Sequence, residues 1–160
     1  MEHINQIDSK VQEFLADRRS SGLNHLMIGF TSLGSAPFTF SLAAYIYLLG
    51  PASLFKTYIS AILTGLIVIQ TVKHFSLRER PFNQVLNDSY SSSFPSGHSA
   101  AGFLTATVLS GFYPEIMFIS FSLASAVAFS RIYLGEHFLS DALTGSIIGI
   151  TIGLLIPIII

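Results

Sequence analysis

The chain has 160 residues, of which 51% are hydrophobic and only 11% are charged. A soluble domain carries about 25% charged residues, so this chain lacks the polar surface of a water-soluble globule. Eight Lys and Arg against nine Asp and Glu give a net charge of −1, which provides no field for a nucleic-acid backbone. Because the chain has no Cys, disulfides, thiolate nucleophiles and Cys-ligated metals are excluded.

Residues 1–22 predict an amphipathic helix on the membrane surface. Apolar residues recur at helical spacing from Ile4 to Leu15, with acids and bases between them. A helix packed on a partner subunit would show the same pattern. We expect the charged residues of this segment to form its solvated face: Glu2, Asp8, Lys10, Glu13, Asp17, Arg18 and Arg19.

Residues 23–160 are predicted to form an all-α bundle of about five transmembrane helices. A membrane span needs about 20 mostly apolar residues. The candidate spans, of which the third and fourth are short, are residues 23–49, 54–72, 99–113, 116–129 and 138–160. With the N-terminal helix, residues 1–160 form a single membrane-embedded domain in this interpretation.

Polar residues gather at one end of the predicted bundle. If the spans alternate in direction, the segment 73–98, Arg131 and His137 all lie on the same side of the membrane. The other side offers only Lys56 and Glu115. Charged groups next to hydrocarbon are costly and indicate function, so we expect one polar site at this end.

Three cations of this site, Lys73, Arg80 and Arg131, indicate an anion. They repel one another unless an anion with several oxygens, such as phosphate, lies among them. A Pro-Ser-Gly-His sequence precedes a predicted helix, whose first N–H groups favour an anion. There Gly97 permits close approach of the backbone, and Ser96 adds a hydroxyl donor.

His137 and Asp141 are four residues apart, which places them on one face if the segment is helical. A carboxylate bonded to one ring nitrogen fixes the tautomer and leaves the other nitrogen as a nucleophile or base. A lone His–Asp pair is more often a helix cap or a surface contact, but three cations and a second histidine, His98, reverse that preference. Glu136 lies about 100° away around a helix and is expected to point away from the phosphate. Because cations dominate the pocket, we predict a reaction without a metal ion or cofactor.

These residues form three motifs in a fixed order and spacing. They are Lys73 with Arg80-Pro81, then Pro95-Ser96-Gly97-His98, then Ser130-Arg131 with His137 and Asp141. Together they closely resemble the type 2 phosphatidic acid phosphatase family of membrane lipid phosphatases, which shares its site with vanadium haloperoxidases. The resemblance covers roughly residues 54–145, with a looser match within 26–49, and no signature position departs from the pattern.

The resemblance implies a role for each of these residues. His137 would be the nucleophile that forms a phosphohistidine, oriented by Asp141. His98 would protonate the leaving oxygen and then activate water. The residues that would hold the phosphoryl oxygens are Lys73, Arg80, Ser96, Gly97 and Arg131. A neutral nucleophile and a protonated acid together predict a bell-shaped pH profile.

A membrane lipid phosphatase is therefore the leading interpretation. A pocket at the membrane edge lets the lipid tail stay in the bilayer while a phosphomonoester or pyrophosphate head group enters. Candidate substrates are phosphatidylglycerophosphate, phosphatidate, undecaprenyl pyrophosphate and lipid A phosphate. The alternatives are a small anion transporter and a vanadate-dependent oxidant enzyme. The sequence is also compatible with a homo-oligomer.

Two signals oppose each other on membrane orientation. Four basic residues outside the motifs lie on the side of the site: Lys10, Arg18, Arg19 and Arg78. The positive-inside rule would place that side in the cytoplasm. The resemblance implies an integral plasma (inner) membrane protein whose site faces the periplasmic or extracellular side, and we favour that orientation.

The last span carries a ridge of residues spaced four apart. Its members are His137, Asp141, Gly145, Gly149 and Gly153. Small residues at this spacing allow close helix packing in membranes. We expect the glycines to dock the last helix on a neighbouring helix and thereby fix the nucleophile; contacts between two copies of the chain are the alternative.

Overall fold

The computed structural model describes residues 2–82, 84–86 and 92–160, and within them the chain is all-helical. Seven α-helices follow one another, with a 3-10 turn at Pro114–Ile116 before the sixth. They are α1 (Glu2–Ala16), α2 (Ser21–Ser32), α3 (Ala36–Leu49), α4 (Ala52–Ser76), α5 (Gly97–Phe112), α6 (Met117–Tyr133) and α7 (Leu139–Ile159).

Local sequence signals set several of the helix ends. Ser20, Ser35 and Ser96 are the N-caps of α2, α3 and α5, and each hydroxyl accepts a bond from a backbone N–H three residues later. Leu77, with φ 45°, ends α4 in the left-handed region. After α6, Gly135 adopts φ 74°, a conformation that glycine enters without a steric penalty. These two turns lead the chain into the segments that carry the polar site.

α5 lies at the centre of the bundle, in contact with α4, α6 and α7. Its contact with α7 is very close, because a Cβ added at Gly149 would lie 2.2 Å from the Ala100 carbonyl oxygen. At Gly145 the same atom would lie 2.3 Å from the Ser96 carbonyl oxygen. The expected close docking of the last helix is confirmed, and its neighbour is α5 of the same chain.

Among the described residues, three helices are long and apolar enough to cross a membrane: α4, α6 with its preceding 3-10 turn, and α7. α2 and α3 together form a fourth candidate that is bent by 45°. The predicted span over residues 23–49 is therefore not one straight helix, since the helix breaks between Ser32 and Ala36. α5 has 16 residues, fewer than the roughly 20 that a span needs.

α1 packs against α6 and α7 with its polar side inward. Asp8 and Gln12 are 1% and 8% exposed, whereas Ile4, Ile7 and Phe14 are 54%, 54% and 55% exposed. The expectation that the charged residues of this segment are all solvated is wrong for Asp8. On the other side of α1, Ile4, Ile7 and Phe14 are directed away from the protein.

Candidate active site

A cavity of about 260 Å³ opens among α3, α4, α5 and α7. Six of the eight predicted site residues line it: Lys73, Arg80, Gly97, His98, Arg131 and His137. Apart from Thr39 and Gln70, the remaining lining residues are apolar or glycine, among them Ile62, Leu66, Ile69, Leu104 and Ile152. Since α4 ends and α5 and α7 begin beside the polar residues, the cavity has one cationic end and one apolar end along the bundle axis.

His137 lies between α6 and α7, outside the helix that the four-residue spacing assumed. Its Nδ1 is 2.7 Å from the carbonyl oxygen of Ser93. A carbonyl oxygen only accepts, so Nδ1 carries the proton and Nε2 keeps its lone pair. Burial lowers the pKa of His137 to about 4, and the cations Arg131, Arg80 and Lys73 act in the same direction while Asp141 opposes them. The ring is therefore neutral at pH 7, which is the form that the predicted role as nucleophile needs.

Asp141 lies in the first turn of α7 and is fully buried. Its Oδ2 is 3.8 Å from Nδ1 of His137, too far for a hydrogen bond. It accepts instead from the Ser93 hydroxyl, from the Phe138 N–H at 2.9 Å, and from Nη1 of Arg78 at 2.5 Å. The expectation that Asp141 fixes the histidine tautomer by direct contact is corrected here: the Ser93 carbonyl holds the ring, and Asp141 holds the Ser93 side chain.

Glu136 is fully buried beside two of the predicted phosphate ligands. Its Oε2 lies 3.5 Å from Nη1 of Arg80 and 3.6 Å from Nη2 of Arg131. Its backbone carbonyl also accepts from Nη1 of Arg80 at 2.6 Å. Gly135 ends the helical path before Glu136, so the helical-angle argument does not apply to this residue. Glu136 lies behind the arginines and does not line the cavity.

The other two cations lie in the last turns of two helices. Lys73, in the last turn of α4, donates from Nζ to the Ser92 carbonyl oxygen at 2.5 Å. Arg131, in the last turn of α6, donates from Nη1 to the Thr31 hydroxyl at 2.9 Å. Arg80 lies on the loop that follows α4, so three separate segments bring positive charge to one place.

Ser96 does not line the cavity. It is fully buried, caps α5, and accepts a bond from the Ser99 hydroxyl at 3.0 Å. Its backbone N–H donates to the Asp141 carbonyl oxygen at 3.0 Å. The Ser96 hydroxyl, which we expected to donate to phosphate, thus caps α5 instead, and the backbone of the same residue joins α5 to α7. Gly97 and His98, in the first turn of α5, do face the cavity.

Sequence reasoning missed four residues that support this site. Ser93 closes the Ser-rich run of residues 89–93, and its position just before the second motif was the available signal. Thr31 lies in the looser match of the first span. Asp8 and Gln12 are four residues apart on α1, a polar pair opposite its apolar stripe. In the described ranges, no three His, Asp or Glu side chains are grouped as metal ligands would be.

A neutral, buried histidine facing three cations at the end of an apolar helical bundle is the arrangement of a membrane-embedded phosphatase. A family model described as the PAP2 superfamily matches residues 52–160, and the chain belongs to this superfamily. This confirms the resemblance that the three motifs indicate. The chain is also 28% identical over 171 residues to phosphatidylglycerophosphatase B of Bacillus subtilis (strain 168), covering 96% of this chain and 83% of that protein.

Two solved structures are similar throughout. A transmembrane PAP2-type phosphatidylglycerolphosphate phosphatase from Bacillus subtilis has a TM-score of 0.83 and 27% identity, covering 98% of this chain and 85% of that one. LpxE of Aquifex aeolicus has a TM-score of 0.84 and 30% identity, covering 93% of each chain. The protein is accordingly an integral membrane enzyme, a lipid phosphatase that hydrolyses phosphoric esters.

Proposed function

We propose that this chain hydrolyses a phosphomonoester or pyrophosphate of a membrane lipid through a phosphohistidine on His137, without a metal ion. The observation that carries the proposal is the cavity itself: its cationic end holds the unprotonated Nε2 of His137, and its other end is apolar. A phosphate head group suits the first end and hydrocarbon suits the second. Cations occupy the space in which a divalent ion would need carboxylates.

The reaction runs in two displacements. Nε2 of His137 attacks phosphorus, the bond to the lipid oxygen breaks, and His98 gives that oxygen its proton. His98 then takes a proton from water, whose oxygen attacks phosphorus and breaks the N–P bond, so that inorganic phosphate leaves and the histidine is neutral again. Lys73, Arg80 and Arg131 stabilise the charge on the equatorial oxygens in both steps, together with the backbone at Gly97.

The remaining predicted residues hold this machinery in place. Asp141 acts on the nucleophile through Ser93, whose carbonyl keeps the proton on Nδ1. Ser96 supports the phosphate site by capping α5, whose first turn carries Gly97 and His98. A nucleophile held within a fraction of an ångström gains much of its rate from orientation alone.

In the membrane, we propose five crossings over one domain of residues 1–160: the bent pair α2–α3, then α4, α5, α6 and α7. The short α5 is tolerated because other helices surround it. α1 lies at the interface, since Ile4, Ile7 and Phe14 point away from the protein. The site faces the periplasmic or extracellular side of the plasma membrane. A tag at residue 1 should therefore be cleaved by protease added to intact cells, and a protected tag would reverse the orientation.

Phosphatidylglycerophosphate is the first substrate to test, because the similar Bacillus subtilis sequence and structure are both named for it. Phosphatidate, undecaprenyl pyrophosphate and lipid A phosphate are the alternatives within the same chemistry. The enzyme is assayed in detergent micelles with EDTA, and phosphate release is compared between wild type and His137→Ala. Release that survives EDTA and is lost in the variant supports the proposal. Release that stops with EDTA, or persists without His137, contradicts it.

A further inference from the structure

Asp8, on the N-terminal helix α1, is bonded to the first turn of α7. Its Oδ1 accepts from the Ser140 N–H at 3.0 Å, and its Oδ2 accepts from the Ser140 hydroxyl at 2.5 Å. Oδ2 also pairs with Nη2 of Arg78 at 2.7 Å. The carboxylate is 1% exposed, so these contacts are shielded from water.

Arg78 joins this carboxylate to a second one. Its Nη1 donates to Oδ1 of Asp141 at 2.5 Å and to the Ser140 hydroxyl at 2.7 Å. Its guanidinium carbon lies 4.5 Å from the ring centre of Phe138, so the plane of the fork is supported from one side. One planar guanidinium thus bridges Asp8 and Asp141, which a single-point donor could not do.

The chain of contacts continues to the nucleophile. Asp141 accepts from the Ser93 hydroxyl, and the Ser93 carbonyl accepts from Nδ1 of His137. On the same face of α1, Nε2 of Gln12 donates to the backbone carbonyl of His137 at 2.8 Å. α1 therefore reaches the nucleophile at two points, once through side chains and once through the backbone.

We propose that Asp8 and Arg78 are positioning residues for the nucleophile, so that the docked N-terminal helix is a working part of the active site. The inference rests on the proposed role of His137. Arg78 lies outside the three motifs, and Asp8 lies outside the segment matched by the family model, residues 52–160.

Two substitutions separate positioning from simple attachment. Asp8→Asn keeps the shape and an acceptor for the Ser140 N–H, but it leaves the charge of Arg78 balanced by Asp141 alone. Arg78→Lys keeps the charge, but a lysine on a flexible stem cannot bridge both carboxylates. Each change loosens Asp141, and with it the orientation of His137. Substrate binding by the other cations is left intact.

The experiment measures kcat and KM for phosphatidylglycerophosphate in micelles, with the thermal midpoint of each variant. We expect kcat to fall at least about tenfold in either variant, since small misplacements of a nucleophile are costly, with KM within about twofold. The double variant should be no slower than the slower single one, because both act on one path. The matched control is Glu13→Gln, an exposed acid on the same helix, which should retain activity.

A second readout needs no substrate. The rate at which diethyl pyrocarbonate modifies His137, followed by mass spectrometry of its peptide, should rise in Asp8→Asn, because the ring is 2% exposed and looser contacts give the reagent access. Unchanged kcat and unchanged modification overturn the inference, as does a loss of activity that only tracks loss of folded protein. If wild type releases no phosphate from any lipid, the proposed function fails, and the modification rate alone decides the positioning role.

Discussion

At the scale of single residues, Glu136 explains how two arginines can share a buried site before any phosphate arrives. Arg80 and Arg131 are both largely buried, and like charges in a low-dielectric interior repel strongly. The carboxylate between them supplies the missing negative charge. It also accepts from the Leu86 N–H at 3.3 Å, which ties the loop after the first motif to the site.

Glu136→Gln should therefore change both product affinity and stability. The amide keeps the shape but removes one negative charge, so inorganic phosphate should inhibit more strongly. Removing one partner of a buried ion pair costs about 3 kcal/mol, so the thermal midpoint should also fall. Phosphate inhibition constants and melting in detergent measure the two effects. Glu115→Gln, an exposed acid at the opposite end, is the matched control; inhibition that is no stronger than in wild type would contradict this role.

The pH profile tests the protonation state of His137, the proposed nucleophile. Burial holds the pKa of His137 at about 4, below the ordinary value of about 6.5. Because the neutral ring is the reactive form in the proposed mechanism, kcat/KM should rise with pH through this low pKa. It should reach its full value well below pH 6. A rising limb centred near 6.5 would count against a nucleophile that burial holds in the neutral form.

At the scale of helices, hydrophobic runs predicted where most elements lie, but they did not predict what each face contacts. Residues 23–49 contain no charge to mark the break that the structure places between Ser32 and Ala36. The periodicity of α1 predicted an apolar face, but Asp8 on the opposite face is covered by α7 rather than by water. Periodicity records that two faces differ, and only tertiary packing decides which one is buried.

The contact between α7 and α5 gives a prediction at this scale. A side chain at Gly149 would meet backbone atoms of Ala100 and Leu104, which cannot move aside as a flexible side chain can. Gly149→Leu should push α7 away from α5, lowering both thermal stability and activity. Gly29→Leu is the matched control, because no other atom lies within 4 Å of a Cβ built at this helical position. Wild-type melting and activity in Gly149→Leu would show that close docking does not fix the nucleophile.

At the scale of the whole molecule, the three motifs predicted which residues meet, and six of the eight do line one cavity. The other two, Ser96 and Asp141, are buried behind the residues that line the cavity. Sequence spacing could not predict this, because it does not show how far a side chain lies from the cavity. The supporting contacts of Asp8 and Thr31 come from distant parts of the chain, and local patterns that single out a residue do not show what it contacts. The structure also shows that the cavity is polarised along the bundle axis, with cations at one end and apolar side chains along the rest.

The apolar part of the cavity predicts where the lipid tail enters. Leu66 lines the cavity and is also 40% exposed on α4, so the apolar wall reaches the outer surface of the bundle there. Leu66→Trp should narrow this opening and lower kcat/KM for a long-chain lipid phosphate by about tenfold. Hydrolysis of a small water-soluble ester, such as para-nitrophenyl phosphate, should change little because it can reach the cations from the aqueous side. Leu63→Trp, on the same helix at 49% exposure but outside the cavity, is the control. An equal loss for both substrates would mean that the tail does not pass Leu66.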